Sequence, residues 1–425
     1  MTKRFDTIVI GAGAAGLAAA RELSGAGRRV AVLEARDRIG GRIFTIHQPS
    51  LPLPIELGAE FIHGEVEEVF DIVAAAALLV HELPDDHWWV RGERWELVDN
   101  FWDVINDVFA RIKGSRDRSF AEFVRAQRGL TPRVKQMALE FVEGFNASHA
   151  ERISALAMRT ADDEQVGDGG GYKQFRVAGG YDRVIEWLRA GLDPGRASIR
   201  LGTTVTEVEW RRGDVAVRTD RGDELRASSA VITLPAGVLK APDAIRFTPE
   251  LRDTRRVLAR VEVGHVVKIV FRFRERFWDD FNFVHSDDPY VPTWWSVAPV
   301  RAPLLTAWAG GHAADRMLAE AADARVGHAL ESLAKTFRIS RRRVAALLDA
   351  AYVHDWQADP FSRGAYSYAG VGGSKAHAAL AKPIADTLFL AGEATSSQTG
   401  TVAGAISSGR RAARRILAPL IKAKR

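Results

Sequence analysis

Between Thr7 and Arg42 the chain reads TIVIGAGAAGLAAARELSGAGRRVAVLEARDRIGGR, and no other stretch restricts the possible folds so strongly. A β-branched run, Thr7 to Ile10, leads into Gly11, Gly13 and Gly16 at G-x-G-x-x-G spacing, then an Ala-rich helical segment and a second strand, Arg29 to Leu33. That order is the opening βαβ unit of a doubly wound parallel sheet. Gly11 permits the tight turn, Gly13 lets backbone approach a pyrophosphate, and Gly16 lets the helix pack closely. The free N–H groups and positive dipole end at the helix start suit a phosphate. Glu34 ends the second strand about 20 residues on, where its carboxylate can accept from ribose hydroxyls and would repel a phosphorylated ribose. The stretch predicts a dinucleotide-binding domain.

The 425 residues exceed one average core, and at roughly 150 residues per domain two units are expected, one of them discontinuous. With 47% hydrophobic and 27% charged residues the chain is globular. The net charge of +5 comes from scattered Arg. Arg410, Arg411, Arg414 and Arg415 read as a solvated helix face complementing a C-terminal dipole, so no nucleic-acid partner is expected. The absence of cysteine excludes disulfides, thiolate metal sites and any cysteinyl tether to a cofactor. No metal site is read. The composition suits a reducing compartment, and a cytoplasmic location is expected. The apolar N-terminal run is fully used by the βαβ unit, so no targeting signal is read. The longest apolar run, Ile72 to Val80, is too short to span a bilayer. The oligomeric state is not legible.

Along the chain, Ile55 to Gly64 (IELGAEFIHG) carries small residues, Gly58 and Ala59, that suggest close approach of backbone to a flat ligand. A helical, acid-containing region follows from Val66, then an aromatic stretch, His87 to Trp95, with a turn at Arg91 to Glu93. Phe101 to Ala161 is mostly helical in apolar spacing, and Asp168 to Gly171 is an acidic, glycine-rich loop. Ser198 to Glu209 and Asp214 to Asp220 read as strands, and Ala230 to Pro235 as a buried one. From Thr248 to about Pro383 strand-like runs alternate with a helical stretch, Ala313 to Phe337. Thr387 to Leu417 supplies a strand, a turn and a closing helix.

Three further constellations bear on chemistry. In LFLAGEATSSQTGTVAGAISSGRRAARRIL, small residues Ala403, Gly404 and Ala405 open a helix whose N-terminus could abut a flat ring and stabilise negative charge on it. In GHVVKIVFRF, Val266, Lys268 and Val270 share one strand face, which puts an ammonium on an apolar stripe. Buried, it would need hydrogen bonds and lose basicity; a solvated edge-strand lysine fits the same periodicity. Trp356 to Tyr368, WQADPFSRGAYSY, is a turn-rich aromatic segment.

Taken together these motifs, spread over essentially the whole chain, resemble the flavin-containing amine oxidase superfamily. The resemblance implies an α/β fold: a discontinuous Rossmann-like FAD-binding domain (1–75, 177–248 and 384–425) and a second, mixed α+β substrate or cap domain (76–176 and 249–383). FAD would lie against Gly11, Gly13, Ala15, Gly16, Glu34, Ala35, Arg36, Gly41, Arg42, Gly58, Ala59, Val205, Trp356, Gly392, Glu393, Thr401 and Val402. Lys268 would hold a water against flavin N5, and Tyr366 would flank the substrate path. Monoamine oxidases carry the flavin-linking Cys where Ala365 stands, so the FAD should be non-covalent.

Within the superfamily the chain looks most like a polyamine oxidase. Thr401 stands where monoamine oxidases place a second tyrosine, and Gly58 to Gly64 matches G-A-x-[aromatic]-I-H-G, which puts His63 at the entrance. Glu60, or Asp162, Asp163, Glu164 and Asp168, would anchor a remote ammonium of the amine substrate, with dioxygen as the second substrate. Two other readings stay open: a flavin dehydrogenase or desaturase on an apolar substrate, and a flavoprotein without turnover.

Overall fold

The computed structural model of the protein describes residues 4–159 and 173–422. The segment around Asp162 to Gly171 lies outside the described residues. Strand Thr7–Ile10 is the centre of a five-stranded sheet, paired in parallel with Val30–Leu33 on one side and Ser229–Ile232 on the other. Ala197–Arg200 and Leu388–Leu390 extend the two edges, again in parallel. The three inner strands are buried at every position. This is why they read as unbroken apolar runs without alternation. The strand order reverses at Thr7–Ile10, and the crevice beyond the strands' carboxyl ends at such a point is the natural ligand site. Helix Ala14–Gly25 covers this sheet and packs on the C-terminal helix Val402–Lys422, with buried alanines on both.

A four-stranded sheet, in the order Glu224–Ala227, Asp214–Thr219, Val205–Arg211, Arg246–Thr248, packs beside it. Here the structure corrects the sequence reading. Ser198 to Glu209 is not one strand: residues 197–200 join the parallel sheet and residues 205–211 start the other, with a break at Leu201 to Thr204. Alternation persists across the break, so periodicity alone does not reveal it.

The chain leaves this body twice to build a seven-stranded sheet whose neighbours run Leu348–Val353, Val266–Phe273, Leu304–Gly310, Thr293–Ser296, Phe283–Ser286, His87–Arg91 and Arg94–Leu97. The last two form a hairpin across the aromatic stretch, about the expected turn at Arg91 to Glu93. Helices Gly311–Leu318 and Ala322–Thr336 cover one part of it, and Phe101–Ala110, Phe120–Ala126 and Pro132–Phe145 form a separate apolar cluster with Trp89. Among the described residues no helix is long and apolar enough to cross a membrane. A second correction concerns the basic cluster: Arg411 is not part of a solvated face but turns inward, its Nη1 donating to the Thr395 carbonyl at 2.8 Å and its Nη2 to that of Leu390 at 3.1 Å. Arg414 and Arg415 are exposed.

Candidate active site

The carboxyl ends of the parallel strands open into a cavity of about 1000 Å³ that continues under the seven-stranded sheet. At its nucleotide end, Gly11 has φ +104°, and a Cβ on Gly16 would stand 2.0 Å from the Gly11 carbonyl oxygen. Those two glycines let the turn fold back onto the first helical turn. The Glu34 carboxylate is oriented by the Ala12 N–H (2.7 Å) and the Arg36 N–H (2.9 Å). Arg36 is itself held by Asp359 at 2.8 Å and by the Ser362 hydroxyl at 2.9 Å. Of the residues expected to line a cofactor, all but Gly16 border this one cavity. A dinucleotide fits them: a fixed carboxylate for a ribose diol, the unpaired N–H groups of the first turn of Ala14–Gly25 for phosphate, and a volume at the upper end for ligand pockets.

Arg42 and Glu393, 351 residues apart, join the two glycine-rich motifs through a 3.1 Å ion pair. Arg42 also donates to the Ala365 carbonyl. Glu393 accepts in addition from the Ser367 hydroxyl at 2.7 Å and the Gly400 N–H at 3.1 Å. The small residue at position 58 borders the cavity and is also required by the protein's own packing. A Cβ on Gly58 would lie 1.9 Å from the Arg42 carbonyl oxygen and 3.2 Å from the Trp356 ring, so one close approach is to the protein itself. Trp356 is fixed in turn by its Nε1–H donating to the Leu57 carbonyl at 2.9 Å.

Lys268 is 3% exposed, which removes the solvated alternative. Its ammonium donates to the Gly58 carbonyl at 3.1 Å and to Glu60 Oε2 at 2.7 Å. Glu60 also accepts from Arg176 Nε at 2.8 Å and from the Trp295 indole N–H at 3.2 Å. Arg176 reaches on to the Ser296 and Ala298 carbonyls at 2.9 and 3.2 Å. Burial alone would raise the Glu60 carboxyl, but the charges and hydrogen bonds of Lys268 and Arg176 outweigh it and hold the carboxyl below its ordinary range. Glu60 is therefore saturated by two cations and is not a free anchor for a substrate ammonium. This corrects its expected role.

The Tyr366 hydroxyl donates to the Phe145 carbonyl at 2.6 Å, and burial with the nearby Glu393 charge keeps it protonated. His63 packs edge-on to Phe145 with ring centroids 5.1 Å apart, and burial lowers its imidazole to about 4, so it is neutral near pH 7. The Thr401 hydroxyl is committed to its helix: it accepts from the Gly404 N–H at 2.9 Å and donates to the Gln398 carbonyl at 2.8 Å. It borders the cavity as a helix cap.

Sequence reasoning missed the far end. Glu140 and Phe141 lie on helix Pro132–Phe145 and border the cavity with Asp287. Glu140 is five residues from Phe145, roughly 7.5 Å along the axis. Burial pushes its carboxyl up to about 7. Its apolar helical spacing was legible, but which face looked into a cavity was not. Nearby, Asp315 accepts from His149 Nε2 and His265 Nδ1 at 2.6 and 2.5 Å. Ligand atoms on a tetrahedral zinc stand about 3.3 Å apart, so the trio is arranged as a hydrogen-bonded bridge.

A dinucleotide cradle that opens, past a buried lysine, into an aromatic chamber defines a two-domain flavin oxidoreductase. More particularly, residues 14–417 match the family described as flavin containing amine oxidoreductase, and the chain belongs to that family. It is 33% identical to polyamine oxidase 3 of Oryza sativa subsp. japonica, covering 96% of this chain and 88% of the relative. It is 32% identical to polyamine oxidase 2 of Arabidopsis thaliana, covering 97% and 88%. Among solved structures it is similar to wild-type putrescine oxidase bound to putrescine (TM-score 0.82, 21% identity, 98% of this chain and 100% of that one). Cyclohexylamine oxidase from Brevibacterium oxydans IH-35A is similar too, at TM-score 0.82 and 22% identity, covering 98% and 99%. These likenesses agree with the α/β fold, and the protein is an amine-acting, flavin-dependent oxidoreductase.

Proposed function

We propose that the protein holds FAD non-covalently and oxidises a primary or secondary amine, with polyamines favoured and dioxygen as electron acceptor. The observation that carries this reading is the continuity of one cavity from Glu34, past Lys268 and Tyr366, to Glu140 and Asp287. FAD would accept a hydride from the carbon next to the amine nitrogen; the imine then hydrolyses to aldehyde and amine, and dioxygen is reduced to hydrogen peroxide. With no cysteine in the chain and Ala365 before Tyr366, no thioether can form.

The protein's own groups suit the task. Glu34 would hold the ribose diol, and the helix that starts at Val402 would face the flavin edge with its N-terminal dipole. Neutral Tyr366, Phe145 and His63 would surround the reacting nitrogen, favouring its uncharged form. The acids beyond would take a second ammonium, as fits the polyamine and putrescine oxidases among the relatives. The division into an FAD domain (1–75, 177–248 and 384–425) and a cap domain (76–176 and 249–383) belongs to the same reading.

Anaerobic mixing with an amine panel tests it. Spermine, spermidine and putrescine should bleach the flavin faster per unit concentration than benzylamine or phenylethylamine, air should restore the colour, and acid should release yellow FAD to the supernatant. Faster bleaching by aromatic monoamines would remove the polyamine assignment. No bleaching by any amine would remove amine oxidation in favour of the dehydrogenase or non-catalytic readings.

A further inference from the structure

A lysine ammonium at 3% exposure is costly to keep charged unless it is paired. Lys268 sits in a line of three buried charges, Arg176, Glu60 and Lys268, joined by contacts of 2.8 and 2.7 Å. All three side chains are at most 7% exposed. The line carries a net +1, and its ends are not alike. Arg176 spends its other donors on the Ser296 and Ala298 carbonyls, away from the cradle. Lys268 has three donors; oxygens of the described residues accept two of them, at Glu60 and at Gly58 beside Trp356, the Trp295 ring stands 5.6 Å from the ammonium, and the third donor is left without an oxygen partner in the cavity that Lys268 lines.

We propose that Glu60 is a positioning residue: clamped by Arg176 and Trp295, it fixes the Lys268 ammonium as a donor facing the flavin cradle. The inference rests on the flavin reading for the cradle but not on the identity of the amine. Arg176 reaches Lys268 through Glu60, while Trp295 both bonds to Glu60 and places its ring 5.6 Å from the Lys268 ammonium. Lys268 itself is the stronger of the charges that keep Glu60 ionised, and Arg176 adds a second one on the other oxygen. Trp295 bonds to both oxygens at 3.2 Å and sets their plane.

The test uses holoenzyme reduced by light or dithionite, so it needs no amine. Reoxidation by air is followed between about pH 8 and pH 9.5, above the Glu56 carboxyl, which also faces Lys268, Glu60 and Arg176 and which burial raises to about 7; in that range an ordinary lysine stays charged and a desolvated one titrates. The wild-type rate should be flat. Because Glu60→Gln alone would strand Arg176 in the interior, the informative variant is Glu60→Gln with Arg176→Met; Arg176→Met alone keeps the Glu60–Lys268 contact. The double variant should slow by about tenfold per pH unit above the new lysine midpoint, as one ionising donor requires. The absorbance of its oxidised flavin should shift with the same midpoint. Arg176→Met should remain flat, and adding Lys268→Met to the double variant should abolish both pH effects. A double variant with the wild-type profile and spectrum would overturn the proposal, as would a pH effect that survives Lys268→Met. A panel in which no amine bleaches the flavin would instead count against amine oxidation.

Discussion

At the scale of single residues, Glu140 decides how the far end of the cavity meets a cation. Its carboxyl, raised by burial to about 7, is neutral below that pH and anionic above it. An ammonium held at Glu140, about one and a half helical turns from Phe145, would therefore be bound better as pH rises through about 7. The KM of putrescine, divided by that of butylamine so that ionisation of the reacting amine cancels, should fall across this range. Glu140→Gln should raise the ratio by about tenfold at pH 8, the scale of one partly buried ion pair, and flatten its pH dependence. An unchanged ratio would move the second ammonium elsewhere. Lys268 was legible in sequence because a single charge interrupts an apolar stripe. Its partners were not: Glu60 lies 208 positions away and Arg176 belongs to another strand, Gln174–Val177, and nothing in either local pattern announces that they converge. The same blindness made Glu60 look like a free acid, and it hid the Arg42 carbonyl and Trp356 ring that by themselves require a glycine at position 58.

At the scale of elements, the βαβ unit, the turn in the aromatic stretch and the closing helix were readable because each has its own period or its own turn residues. The split of 197–211 between two sheets was not, since both halves alternate alike. The short strand Ile55–Glu56 shows how such small elements are held. It pairs antiparallel with Thr45–Ile46, and Glu56 accepts from the Thr45 hydroxyl and the Tyr181 N–H, each at 2.7 Å, tying the pair to the start of helix Asp182–Ala190. Burial raises the Glu56 carboxyl from its ordinary 4.5 to about 7. Between those values the folded chain keeps a proton that the unfolded chain releases, so this contribution to stability is complete below pH 4.5 and is lost as pH rises through about 7. Glu56→Gln, which stays neutral and can still accept from Tyr181, should melt at a higher temperature than wild type at pH 8. The difference should vanish near pH 4. Equal shifts at both pH values would mean that hydrogen-bond geometry, not ionisation, governs the site.

At the scale of the molecule, the cavity is assembled from segments that are remote in sequence: the first glycine motif, Leu57 to Ala59, Val205, Trp356 to Tyr366, and Gly392 to Val402. Three of the bonds that bring them together, Arg42 to Glu393, Arg36 to Asp359 and Trp356 to Leu57, link parts of the chain separated by 351, 323 and 299 positions. The Trp356–Leu57 and Arg42–Ala365 bonds also join the parallel-sheet body to the segment that follows the seven-stranded sheet. A flavin held in this cavity as proposed would touch both bodies at once, and its binding energy would be shared by both. At a hundred times its dissociation constant a ligand adds about 2.7 kcal/mol to folding. Removing the flavin should lower the melting temperature by several degrees. It should do so in one transition, with circular dichroism of the helices and the tryptophan fluorescence, to which Trp88, Trp89, Trp95, Trp294, Trp295 and Trp308 of the seven-stranded sheet and Trp187 and Trp210 of the other body contribute, moving together. Restoring FAD should return the holoenzyme value, and riboflavin, which lacks the ribose and pyrophosphate that Glu34 and the Gly11–Gly16 turn would hold, should not. Two separate transitions in the stripped protein, with only one responding to FAD, would show that the cofactor stabilises a single body and that the bonds between segments do not couple the two.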